Sequence, residues 1–266
     1  THVPATGIAA WLLGPGTKVT YAAMALLGDS GVSVVWVGEK GVRYYASGRS
    51  LSNSSAAAEA QASIVSNQRR RLFCARQMYA MRFPGEDVSN ATMAQLRGRE
   101  GSRMKKVYLA EAERTGVEWK KRMYDPQNFS SGDPINRTLT AANAALYGVA
   151  HAVIASLGFI PSLGVIHQGT ERAFVYDIAD LYKAEISIPA AFDAVAENEL
   201  TADVNIRRVI RDYVVKKNLI PTMIRDVMFL MEMSSEAQNI DSELVLWSDL
   251  EVVSSGRNWA DERPFE

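Results

Sequence analysis

The chain has 266 residues, 47% of them hydrophobic, with a formal net charge of -1. That length holds one large domain or two smaller ones with a sizeable core, and the near-neutral balance does not mark a general nucleic-acid binder. Its one cysteine, Cys74, excludes an intrachain disulfide and a cysteine-rich zinc site, and no stretch reads as long and apolar enough to span a membrane.

The average conceals an asymmetry. Residues 69–122 carry 14 Lys or Arg against 6 Asp or Glu, and residues 234–266 carry 2 against 8. A basic middle implies an anionic ligand, and an acidic tail implies a separate role. The chain begins at Thr1 without a methionine, which leads us to expect a missing N-terminal piece; a reducing cytoplasm is the default setting.

In chain order, residues 1–48 read as a small β-rich unit. The apolar run from Ile8 to Leu13 ends at a Gly-Pro-Gly turn, Lys18 to Leu27 reads as a short helix, and Val32 to Val37 and Val42 to Ala46 read as strands. The polar, turn-rich residues 49–55 make a linker. The spacing then predicts one long helix from Ala56 to Phe83, ended by Pro84-Gly85. Arg69, Arg70, Arg71, Arg76 and Arg82 decorate it, as a solvated face or as a ridge facing phosphates.

A second helix is predicted from about Thr92 to Thr115, capped by Asn90 or Ser89. Leu96, Glu100, Met104 and Tyr108 share one i, i+4 row, so Glu100 takes a place that the pattern gives to apolar residues. It is either a salt-bridged core glutamate or a carboxylate for metal or acid–base work. Residues 117–133 read as a loop of interleaved aromatics and cations, including Trp119, Tyr124 and Phe129. Such a loop packs on itself or meets a nucleic-acid end.

Pro134 opens a small, apolar helix to about Leu157 in which His151 reads as a satisfied core or boundary residue. The stretch GVIHQGTERAFVYDIADLYKAE (164–185) follows, with His167 in a glycine-flanked connection. Asp177 and Asp180 sit three residues apart on one face of a predicted helix. Two carboxylates there are costly to bury without a positive partner. Further helices are predicted at 203–216 and 221–233. The acidic residues 234–266 hold only short β-prone pieces.

One imidazole with two or three carboxylates and no thiolate suits Mg²⁺ or Mn²⁺ rather than structural zinc. Among basic segments, that set points to a metal meeting phosphate oxygens, hence to phosphoryl transfer on a nucleic acid. No glycine-rich phosphate loop of the nucleoside-triphosphate type is present.

The blocks GPGTKVTYAA, VVWVGEKGVRYYASG, QLRGREGSR, YDPQNF, NAALYG, GVIHQGT and FVYDIADLYKAE occur in order over residues 14–200. In them the chain resembles the Cas1 family of CRISPR-associated integrases, nearest its type I-E branch. The resemblance implies an α+β fold, a small N-terminal β domain followed by a larger all-helical C-terminal domain at 56–233, with residues 234–266 as a tail able to dock on a partner. It implies Glu100, His167 and Asp180 as metal ligands and catalytic residues, with Asp177 as a further acidic residue of the site. Arg43, Tyr124, Tyr147 and Lys183, and more loosely Arg207, match positions near DNA. The basic helices, with Arg69, Arg76 and Arg103, would add phosphate contacts.

The implied activity is that of a metal-dependent endonuclease and integrase. A captured DNA fragment attacks a CRISPR repeat through its 3′-hydroxyl, on double-stranded DNA, as a homodimer joined by a Cas2 dimer and with no membrane. A non-catalytic DNA-binding scaffold of the same complex is the alternative. Two departures stand out: Glu171 where relatives often place a base, and Phe129 where a tryptophan is common.

Overall fold

A computed structural model describes residues 8, 10–48, 55–123, 132–233, 245–247 and 252–254. The opening unit follows the residue pattern: β1 (Ala10–Leu13), α1 (Tyr21–Asp29), β2 (Ser33–Val37) and β3 (Tyr44–Gly48). β1 and β2 pair in parallel, with α1 in the crossover between them, and β3 runs antiparallel to β2. The third strand starts two residues later than predicted, at Tyr44 rather than Val42. Residues Glu39–Gly41 form a 3₁₀ turn, and Lys40 and Arg43 hold positive φ angles of 52° and 94°.

The predicted long helix from Ala56 is in fact two, α2 (Ala56–Ser66) and α3 (Gln68–Arg82). Asn67 turns to an extended backbone between them, and its side chain accepts hydrogen bonds from the amides of Arg69 and Arg70. An Asn cap starts α3 afresh where a helical pattern alone shows no break. α4 (Met93–Thr115) is capped by Thr92 rather than by Asn90 or Ser89. The Thr92 hydroxyl accepts from the Gln95 amide, and the Gln95 side chain accepts from the Thr92 amide.

α5 (Pro134–Ser156) is the axis of the helical part, with Pro134 in its first turn and Asp133 as its cap. Leu139, Leu146, Val149 and Ile154 are fully buried, packed in one core with Phe192 of α7 (Ile188–Glu197), Ile206 and Ile210 of α8 (Ala202–Lys216) and Met223 of α9 (Leu219–Leu230). By length and composition α5 can cross a bilayer, against the expectation that no such stretch exists, but 67% of that window is buried inside the protein. It is largely apolar because helices and the sheet pack on most of its faces. Cys74 is a buried filler: burial pushes its thiol pKa up to about 12, and Sγ lies 3.5 Å from the Leu230 carbonyl.

The sheet docks on α5 through Val35, Val37 and Ala152, with Leu12 and Tyr44 at the edge. The 3₁₀ turn grips α8 through the Lys40–Asp212 ion pair at 3.1 Å and the Arg211–Glu39 pair. The architecture is therefore α+β, a small sheet followed by a larger helical assembly. In the acidic tail, Val245–Trp247 (β4) and Val252–Ser254 (β5) pair antiparallel.

Tyr44 stacks on His151 with ring centroids 3.7 Å apart, joining β3 to α5. Burial, and after it the Arg172 charge, push the His151 pKa down from 6.5 to about 4, opposed by Glu171. The folded protein thus keeps this ring neutral while the unfolded chain takes a proton near pH 6.5. Stability present above pH 6.5 is lost as the pH falls towards 4. His151→Phe keeps the stack and removes the titration. Its melting temperature should fall less than the wild type's across that window, and equal falls would count against the assignment.

Candidate functional site

The site forms where α3, α4, the connection before α6 (Ala173–Asp180) and the turn after α6 meet. The connection is held on every side. Gln61, fully buried on α2, donates to the carbonyls of Ile160 and Leu163 and accepts from the Ile160 amide. Gly164 has no room for a side chain: a Cβ there would lie 2.3 Å from the His167 carbonyl oxygen and 2.8 Å from Ala173 Cβ. Arg71 Nε donates to the Val165 carbonyl at 2.6 Å, and Arg97 Nη2 to the Ile166 carbonyl at 2.5 Å.

On the opposite side the backbone amides of Val165, Ile166 and His167 all donate to Asp177, at 2.5, 3.1 and 2.9 Å. Asp177 Oδ1 also lies 2.7 Å from His167 Nδ1. That hydrogen bond raises the His167 pKa, with burial opposing it. Nδ1 is thereby engaged, which leaves Nε2 as the ring nitrogen for a ligand. Asp177 and Asp180 do not share one job: Asp177 is spent on the loop.

Glu100 and Asp180 are brought together by α3. Glu100 Oε2 accepts from the Tyr79 hydroxyl at 2.7 Å, and Oε1 lies 2.7 Å from Arg82 Nη1. The same Nη1 is 3.8 Å from Asp180 Oδ2. Lys183 Nζ lies 2.5 Å from Asp180 Oδ1 and 4.8 Å over the Tyr147 ring. Burial works to lower the Lys183 pKa, but Asp180 and then Tyr147 outweigh it and the ammonium is held charged. Asp180 Oδ1 is buried and compensated by that charge without an aligned hydrogen bond. His167 feels the Asp180 carboxylate and touches Tyr176 edge-on at 5.8 Å; Tyr176 in turn meets Tyr147.

Among the described residues no three His, Cys, Asp or Glu side chains converge closely enough to ligate one ion in this conformation. The donor set is nonetheless that of a hard divalent cation: two carboxylates drawn towards one Arg82 nitrogen and one imidazole nitrogen. The place between the carboxylates already holds positive charge, that of Arg82.

A cavity of about 700 Å³ opens beside this centre between β3, α5, α8 and residues 161–172, and Tyr147 belongs to both. Arg43, Tyr147 and Arg207, separate in the sequence, line it together, with Arg172 as a further cation and Glu171 as an acid. The other basic candidates are placed differently. Arg69 is exposed at the start of α3, whereas Arg76 Nε donates to the Ala91 carbonyl at 2.8 Å. Arg103 is buried, paired with Glu86 and stacked 4.7 Å over Phe83. Tyr124 and Phe129 lie outside the described residues. Sequence reasoning missed Gln61, Tyr79, the inward turn of Arg82 and the loop-holding roles of Arg71 and Arg97.

The sequence profile of the family described as "CRISPR associated protein Cas1" matches residues 84–226. The CRISPR-associated endonuclease Cas1 of Clostridium sp. (strain SY8519) is 49% identical over 264 residues, covering 98% of this chain and 88% of that one. The CRISPR-associated endonuclease Cas1 2 of Thermus thermophilus is 42% identical over 230 residues, covering 86% and 71%. A solved TtCas1–DNA complex superposes with a TM-score of 0.81 at 42% identity, covering 87% of this chain and 86% of that one.

Proposed function

The chain belongs to the Cas1 family of CRISPR-associated endonucleases, and from that premise we propose that it joins captured DNA to a CRISPR repeat by metal-dependent transesterification. In that reaction a 3′-hydroxyl displaces another 3′-hydroxyl at one phosphodiester, so one bond is made for one broken. The observation that supports the reading is the approach of Glu100 and Asp180 to a single Arg82 nitrogen, with the Asp180 charge acting on His167 and an arginine-lined cavity next to Tyr147.

Glu100, Asp180 and His167 Nε2 would hold Mg²⁺ or Mn²⁺. Such an ion, when bound, polarises the phosphoryl group and lowers the pKa of an attacking hydroxyl. The protein's own contribution is positioning. Asp177 fixes the ring and tautomer of His167 through Nδ1. Lys183 keeps a buried positive charge against Asp180 and Tyr147, near the place where phosphate charge would develop. Arg43 and Arg207, with Arg69 outside the cavity, would hold DNA by its phosphates and without sequence preference. The relative solved with DNA supports the ligand class. In the present conformation Arg76 and Arg103 serve the fold.

The proposal extends to the type I-E branch, on the motif blocks that suggested it. It includes a homodimer bridged by a Cas2 dimer, the acidic tail as a docking segment, and action in the cytoplasm. Units at 1–48 and 56–233 with a linker between them belong to the same reading.

The test is strand transfer into a supercoiled, repeat-containing plasmid with Mn²⁺, with and without Cas2. Glu100→Ala, His167→Ala and Asp180→Ala should each lower the rate by at least about a hundredfold while leaving the protein folded. Full activity in all three would end this reading. Binding of branched DNA with no joining or cutting by the wild type would favour the scaffold reading.

A further inference from the structure

We propose that Arg82 is the built-in counter-ion of the metal-binding carboxylates, and that a divalent ion binds by displacing its guanidinium from between Glu100 and Asp180. The inference rests on the metal reading above and adds a residue which that reading does not contain. Arg82 is the last residue of α3, and its side chain is 5% exposed. It is therefore no part of a solvated face. Its guanidinium lies 5.2 Å over the Phe83 ring and 5.7 Å over Tyr79, and among the described residues Nη2 reaches only the thioether of Met104, a weak acceptor at 3.7 Å. The strong partners of this buried charge are the two carboxylates.

The division of oxygens makes the argument specific. Glu100 Oε2 is taken by the Tyr79 hydroxyl, and Asp180 Oδ1 by Lys183. The oxygens left to face one another are Glu100 Oε1 and Asp180 Oδ2, and a single nitrogen, Arg82 Nη1, addresses both, at 2.7 and 3.8 Å. A cation that bridges α4 and the end of α6 needs this same oxygen pair. One positive charge on a guanidinium and two on a divalent ion then compete for it, and the doubly charged ion wins only by the difference. Left with neither, the buried Asp180 and half-buried Glu100 carboxylates would repel one another. Arg82 thus keeps the site assembled before the ion arrives and sets how much affinity the ion must bring.

The experiment is Mn²⁺ titration of chelator-treated protein, followed by calorimetry and by electron paramagnetic resonance of free Mn²⁺, with melting temperatures taken alongside. Asp180→Ala should bind at least about tenfold more weakly than wild type. Arg82→Gln should bind about tenfold more tightly. Without metal it should melt lower than wild type, and it should gain more in melting temperature from Mn²⁺. Arg82→Lys keeps the charge with a shorter reach and no fork, so it guards against a Gln variant that does not fold. It too should bind Mn²⁺ more tightly than wild type, by a smaller factor.

If Asp180→Ala binds like wild type, the metal reading fails and this inference with it. If Asp180→Ala weakens binding but the folded Arg82 variants bind no tighter than wild type, the inference about Arg82 fails alone.

Discussion

Asp177→Ala should destabilise the protein by about 4 kcal/mol and abolish strand transfer, although Asp177 is not among the proposed metal ligands. Its side chain has no exposure, and it accepts three consecutive backbone amides as well as the His167 ring. Each buried amide left without an acceptor costs roughly 1–3 kcal/mol, only partly recovered by relaxation of the loop. Water does not reach these donors easily, since Val165 and Ile166 are buried. The loop is also polarised as a unit. Its carbonyls face the guanidiniums of Arg71 and Arg97, and its amides face the carboxylate. Removing the anion leaves two cations on one side with nothing opposite.

Asp177→Asn separates the two consequences. The amide oxygen can still accept from part of the loop, but its NH₂ must face other donors. A cost of about 2 kcal/mol is expected, with a folded protein whose His167 ring is no longer fixed. Thermal denaturation reads the first effect, and the imidazole nitrogen chemical shifts of His167 read the second. An Asp177→Ala protein that melts within a degree of wild type would refute this account of the loop.

The difference between Asp177 and Asp180 shows where sequence reading reaches its limit. Their spacing places both on one face of α6, and that was legible. What divides them is the chain that folds over the first turn of α6: its amides reach Asp177 and stop short of Asp180. Local periodicity also found the opening sheet, α4 with Glu100 on its mostly apolar row, and α5 with its proline start, because each depends on neighbours a few residues away. It did not find the break at Asn67, because a cap and a surface polar residue look alike in sequence.

Least legible were the arginines. Arg71, Arg76 and Arg82 read as a solvated face or as a ridge facing phosphates, and Arg103 as a phosphate contact, yet these four and Arg97 all hold carbonyls or carboxylates on other segments of the chain. A guanidinium on a long stem serves phosphate or carbonyl equally well, and only the tertiary partner decides which. Tyr79, Arg82 and Phe83 carried a usable signal: a cation and aromatics near the same helix row, one turn from a buried site, suit a charge packed inwards.

Gly148→Ala should destabilise the protein by about 2 kcal/mol, even though alanine is by itself the better helix former by roughly 1 kcal/mol. The gain from propensity is overridden by a clash. A Cβ on Gly148 would lie 2.3 Å from Arg43 Cα and 2.5 Å from Arg43 N, backbone atoms with no flexible end to move aside. Arg43 cannot simply retreat. Its φ is 94°, its carbonyl accepts the Gly38 amide at 3.0 Å, and Val42 before it is buried in the core. The turn that precedes it is fastened to α8 through Lys40 and Asp212.

The added methyl must therefore either bend α5 or prise the edge of the sheet away from it, and both disturb the Tyr44–His151 stack. For a chain of this size the melting temperature should drop by roughly 4–8 °C. Because Arg43 and Tyr147 face one cavity across this contact, DNA binding should weaken as well, with the proposed metal ligands untouched. A Gly148→Ala protein that melts at or above the wild-type temperature would mean that helix and sheet do not approach this closely. The glycine of the NAALYG block would then need another explanation than the seat it gives to the backbone of Arg43.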